Sequence, residues 1–225
     1  MNVGRSEKYA VIKSNILSSA LKRFLQKGYK NTTLKELASD SNIVLGSLTH
    51  IFKSKEELVC ELVSHVLEYQ FETAHRILKD KSNDKALLYA IEIVLQIHMA
   101  ESSEYMREMY VTSYSMEKSS EIVYDTVTSK LEEIFKEYVP HLETKDFYER
   151  EIATGGIVRG FMSVPCDRYF TMERKVKSLI ETIFLIYEVP KSKIKEITNY
   201  VLKLDFKQLA IDTISSMEQY INNKI

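Results

Sequence analysis

The chain has 225 residues, 44% hydrophobic and 28% charged, with six glycines, three prolines and two cysteines, enough to bury a sizeable core in one large or two small domains. Cys60 and Cys166, with no CxxC spacing, argue against a disulfide framework or a zinc site, and the lack of a long apolar run, at the start MNVGRSEKYAVIK or elsewhere, predicts a cytoplasmic protein with no membrane span. The net charge of −1 conceals an asymmetry: residues 1–60 carry ten Lys and Arg against five Asp and Glu, the remainder 21 against 27, so a polyphosphate partner is expected at the N-terminal end.

Over residues 6–27, Tyr9, Ile12, Ile16, Leu17, Ala20, Leu21 and Phe24 recur at spacings of three and four, and Gly28 follows as a C-cap. Arg5, Lys8 and Lys13 at its start are surface charges, placed where they could reach a nucleic-acid backbone. Thr33 and Glu36 then form a capping box for a short helix carrying Leu34, Leu37 and Ala38, which the polar run Ser39, Asp40, Ser41, Asn42 ends. Ser54 and Glu57 repeat the signature. Between the two boxes there is room for a turn and a helix of about two turns, with Leu45, Leu48 and Phe52 inward. Helices this short need a partner surface, and the first helix supplies it in a trihelical domain.

The helix after Ser54 runs on through Leu58, Leu62, Val66, Tyr69 and Leu78 to a polar break at 79–85, long enough to connect two parts of the molecule. Within it Glu72 and His75 have the spacing of a di-iron bundle, but no second pair completes such a site and no metal is expected. Residues 86–100 give a further helix with His98 on its apolar stripe, and Glu101, Ser102 and Ser103 signal a turn. The segment MREMYVTSYSM then sets Met106, Met109, Tyr110, Ser113 and Tyr114 on one face. Adaptable methionine surface with a few polar tips suits a ligand chamber, for which His98 and Arg159 are candidate polar anchors.

Pro140, Pro165 and Pro190 punctuate the rest into segments of about 119–139, 145–164 and 171–188. Gly155, Gly156 and Gly160 weaken the second segment unless another helix approaches closely, and Val176, Leu179, Ile180, Ile183, Phe184 and Tyr187 make a wide apolar stripe on the third. After Pro190 one or two more amphipathic helices follow, packing on the core or on a partner subunit.

The pattern TT-x-x-E-L-A, a turn, then G-S-L-x-H-x-F-K-S-K-E-E-L, over residues 32–58, resembles the DNA-binding signature of the TetR family of bacterial transcriptional regulators. The resemblance implies an all-α fold: a three-helix helix-turn-helix domain at 1–53, joined by a long helix to a helical ligand-binding and dimerisation domain at 54–225. It implies a homodimeric regulator, a repressor, that binds a palindromic double-stranded operator and is released by a small, largely hydrophobic effector. Thr33 and Lys55 fall at phosphate-contacting positions, and Leu45, Gly46, Ser47, Thr49 and His50 on the groove-facing side of the recognition helix. Pairing of the last two main helices would bring Gly156, Gly160, Val176, Ile180, Ile183, Phe184 and Tyr187 to the dimer interface.

Three positions depart from the family's usual pattern: Val44 where a polar N-cap is common, Leu45 where a polar or basic residue is frequent, and Thr49 where Tyr is usual. No Arg, Lys, Asn or Gln lies between residues 43 and 52, so base reading is expected to rest on thymine methyl contacts and DNA shape. The alternative function is an interaction protein on the same scaffold, binding a partner protein or ligand without regulating a promoter. No HExxH, GxSxG or P-loop motif points to an enzyme, and no cofactor is expected.

Overall fold

The structure, a computed structural model, describes residues 3–79 and 82–224, and among them the chain forms eleven helices and no strand. The side chain of Arg5 lies outside the described residues, as do Asp80 and Lys81 of the expected polar break. Helix α1 (Val3–Lys27) stops where Gly28 takes φ +88°, a conformation that costs an L side chain about 1 kcal/mol or more. Helix α2 (Leu34–Asp40) begins on the full Thr33/Glu36 box, in which Glu36 accepts from the Thr33 amide at 2.9 Å. The uncapped α3 (Leu45–Ile51) follows, with Val44 72% exposed at its N-cap.

Helix α4 (Lys55–Leu78) starts on Ser54, whose hydroxyl accepts from the Glu57 amide. The second box is only half formed, because the Glu57 carboxylate accepts from Lys53 at 2.7 Å instead of from Ser54. With 24 residues α4 spans about 36 Å. Leu17, Ala20 and Phe24 of α1, Leu37, Leu48 and Leu58 are all buried, so the three-helix head and the root of α4 share one core.

Helix α5 (Lys85–Ser102) is buried on nearly every side, and its neighbours wrap it. Ser103 alone separates it from α6 (Glu104–Ser113), ending one helix and capping the next, so the expected three-residue turn is a single residue. Helices α7 (Glu117–Phe135), α8 (Thr144–Ser163) and α9 (Met172–Ile186) follow the proline punctuation closely. Helix α10 (Lys191–Val201) packs on α5 and α9, and α11 (Phe206–Lys224) on α1, α4 and α5, so both close on the chain's own core. Among the described residues no helix is long and apolar enough to cross a membrane.

One expectation is corrected here. Val176, Ile180, Ile183, Phe184 and Tyr187 face inward with at most 1% exposure, and Tyr187 stacks on Phe135 at 4.2 Å. The stripe on α9 is core rather than a surface offered to a partner. Gly156 and Gly160 are exposed, and a Cβ on either meets nothing within 4 Å; only Gly155 permits a close approach, with Tyr124 at 3.2 Å from the position of its absent Cβ. The exposed apolar side chains of α8 and α9 are Tyr148, Ile152 and Leu185.

Candidate nucleic-acid interface and ligand cavity

Helix α3 buries Leu48 and leaves Leu45, Gly46, Ser47, Thr49 and His50 exposed together, so the five groove-facing candidates share one surface. Thr49 donates its hydroxyl to the Gly46 carbonyl at 3.1 Å. Leu45 is 44% exposed, an apolar side chain that nothing in this chain covers fully. Thr33 is exposed at the start of α2, but its hydroxyl is engaged in the capping box. Glu36 is held down at about 2, chiefly by the Lys27 ammonium and then by the Thr33 amide and hydroxyl.

Lys55 is turned inward. Its ammonium donates to the Tyr29 and Thr32 carbonyls at 2.7 and 2.8 Å and lies 4.2 Å from the Tyr29 ring centroid, and burial lowers its pKa. A side chain so engaged pins the α1–α2 turn to the root of α4, and the phosphate role expected for it is not what its geometry offers. Arg23 and Lys27 are likewise paired, with Asp40 and Glu36, and Lys13 with Glu61. Among the described residues Lys30, Lys35 and Lys53 are exposed and make no ion pair; Lys30 precedes α2, Lys35 lies in its first turn and Lys53 follows α3. Sequence reasoning passed over these three; Lys30 and Lys35 have no acidic residue three or four positions away, and Glu57, four beyond Lys53, accepts from the Lys53 amide and leaves its ammonium unpaired.

The second feature is a cavity of about 60 Å³ between the head and the helical bundle. Helix α6 presents Met106, Met109, Tyr110, Ser113 and Tyr114 to it, the face expected from their spacing. Helix α4 adds Leu62, Val66 and Gln70, α5 adds Gln96, and α1 of the head adds Leu21 and Leu25. Met217 of α11, in the amphipathic stretch after Pro190, closes one side. His98 and Arg159 are not part of this wall. His98 stacks against Phe206 at 5.5 Å, where burial lowers its pKa, and Arg159 is exposed on α8 with its guanidinium 3.4 Å from the Ser115 hydroxyl.

The polar groups of the wall form two short chains. Gln70 donates to the Tyr110 hydroxyl, which in turn donates to Met99 Sδ at 3.5 Å. Tyr114 donates to Gln96 Oε1 at 3.4 Å, and Gln96 donates to the buried Glu92 at 2.5 Å. Burial pushes Glu92 up to about 7, and in Glu151, which accepts from Thr154 at 2.8 Å, burial and the nearby Glu92 push the carboxyl up to about 8. Among the described residues no group of three His, Cys, Asp or Glu side chains is disposed to hold a metal ion, and Glu72 is engaged by Tyr220 and Lys224.

Residues 16–62 match the family model for bacterial regulatory proteins of the tetR family. Over 174 residues the chain is 28% identical to the HTH-type transcriptional regulator YhgD of Bacillus subtilis (strain 168), an alignment covering 76% of this chain and 82% of that one. Over 66 residues it is 36% identical to the HTH-type transcriptional repressor KstR2 of Mycolicibacterium smegmatis, covering 29% of this chain and 32% of the repressor. The crystal structure of RolR in complex with its ligand resorcinol superposes with a TM-score of 0.68 at 14% identity, covering 86% of this chain and 95% of RolR, so the two share a fold.

Proposed function

By its N-terminal domain the chain belongs to the TetR family of bacterial regulatory proteins, and from that premise we propose that it is a homodimeric transcriptional repressor, released from a palindromic operator by a small, largely hydrophobic molecule in the cavity. The observation that carries the reading is the composition of the cavity wall. Helix α1 belongs to the DNA-binding head, α4 is rooted in it, and both line the same space as α6. Filling that space presses on the head directly.

A second contact strengthens the coupling. Glu108 of α6 accepts from the Lys30 amide at 3.3 Å, and Tyr105 and Glu108 lie against Gly28. One face of α6 therefore meets the cavity while another meets the α1–α2 turn. Two heads on one duplex must sit about 34–36 Å apart, so a displacement of a few ångströms unseats both. A coupling of about 1–3 kcal/mol changes affinity roughly five- to 150-fold.

In this reading Lys30, Lys35 and Lys53 neutralise phosphates, Thr33 lies beside them, and residues 45–50 enter the major groove, with Leu45 and Thr49 against thymine methyl groups. The family's dimer arrangement is supported by the exposed Tyr148, Ile152 and Leu185 and by the open surface at Gly156 and Gly160. An operator partner also places the protein in the cytoplasm.

The test is selection of bound fragments from genomic DNA of the source organism at about 0.15 M salt, with protein refolded free of small molecules and sized in the same buffer. A dimer that enriches one palindrome, with A·T pairs at contacted positions, is expected. A folded dimer that enriches nothing overturns the assignment and favours a partner-binding role on the same scaffold.

A further inference from the structure

We propose that the cavity takes a small uncharged molecule with an apolar body and one O–H or N–H group, which donates to the side-chain amide of Gln70; this rests on the reading of the cavity as the effector site. Gln70 is fully buried, and its Oε1 has no hydrogen-bond partner. The orientation of the amide follows from its neighbours. Its Nε2 faces Met99 Sδ at 3.8 Å, which can only accept, and the Tyr110 oxygen, whose own hydrogen is given to that same sulfur, so the carbonyl oxygen is left as the unmatched end.

The other polar groups of the wall are already occupied. Gln96 accepts from Tyr114 and donates to Glu92, and Ser113 donates to the Met109 carbonyl at 2.8 Å. What the wall lacks is therefore one donor. A buried acceptor without a partner is unusual in a folded protein, and an occupant that supplies the missing hydrogen bond gains what a purely apolar one does not.

Charge and size narrow the class further. No Lys, Arg, Asp, Glu or His lines the cavity, so an ion entering it would shed its water without meeting a counter-charge. The carboxyl group next behind the wall, Glu92, is itself held toward its neutral form by burial. At about 60 Å³ the space is smaller than the roughly 150 Å³ cavity that takes benzene, so a molecule of one ring enters as Met106, Met109 and Met217 yield to its shape.

The experiment uses the full chain, with binding read by calorimetry and by thermal shift. The probes are phenol and cyclohexanol as donors, toluene as the shape match without a donor, and benzoate and benzylamine as charged analogues. Phenol and cyclohexanol are expected to bind about tenfold or more tighter than toluene, with no detectable binding of the two ions. In Gln70→Met the preference for phenol over toluene should collapse toward one while toluene still binds. The wild-type ratio remains a test even when that variant fails to fold. Toluene binding as tightly as phenol, or either ion competing with phenol, overturns the proposal but leaves the effector cavity standing. No binding of any probe overturns both.

Discussion

Ser18 donates its hydroxyl to Asn222 Oδ1 at 2.5 Å, and Ser14, one turn earlier on α1, donates to the same oxygen at 2.9 Å. The two hydroxyls fill both lone pairs of one amide oxygen, tying α11 along the first helix of the DNA-binding head. Both serines are buried. Asn222→Ala should therefore lower stability by about 1–2 kcal/mol, measured by urea denaturation. Removing both serines as well should recover part of that loss, because no buried hydroxyl is then left without an acceptor.

Acid should strengthen this fold over a range where many proteins are indifferent. Glu92 and Glu151 have carboxyl groups raised to about 7 and about 8 from an ordinary value of 4.5. The native state then holds protons that the unfolded chain has released, so the stability these two groups contribute is fully present below about pH 4.5 and is lost as pH rises from there through 7 and 8. Thermal melts between about pH 5 and pH 8 should show a declining midpoint. Glu151→Gln should flatten that decline and be the more stable protein at the alkaline end. A wild-type midpoint that rises over this range would contradict the inward placement of these two carboxyls.

Lys55 separates a structural from a DNA-contacting role. Lys55→Met removes a charged donor from the Tyr29 and Thr32 carbonyls and should cost about 1.5–3 kcal/mol of stability. The slope of log affinity for DNA against log salt should stay unchanged, whereas Lys53→Met should reduce it by about 0.9 with little effect on folding. The opposite pattern would return Lys55 to the phosphate backbone.

Gly156 tests the pairing of subunits. Its added side chain would meet nothing within this chain, and an arginine is the better helix former by somewhat under 1 kcal/mol. Gly156→Arg should therefore melt no lower as a folded unit, yet elute as a monomer and lose affinity for DNA. A variant that remains dimeric would move the interface off α8.

Local signals were readable before any coordinates, because they depend on residues a few positions apart. The Thr33/Glu36 box, the stop at Gly28 and the three prolines bound their helices as expected. The α6 face of Met106, Tyr110 and Tyr114 also came from spacing alone. What failed was partner assignment. An amphipathic stripe says which side of a helix leaves water, not what covers it, so the α9 residues from Val176 to Tyr187 suited a dimer interface as well as a core. Lys55 and His98 failed in the same manner, one drawn in by two carbonyls and the other by the ring of Phe206. Met217 could be placed on the cavity only once α11 was known to fold back on α1 and α4.

Leu21 and Leu25 stand in the same wall as Gln70 and Met217, although the border expected at residues 53 and 54 would assign them to different domains. Such a border suggests that heads could be exchanged among relatives to redirect one sensor to another's genes. Here the exchange would replace part of the cavity wall along with the helix-turn-helix, and would break the serine ties to Asn222. A transplanted head would therefore have to bring its own complement to α11 and to the cavity wall.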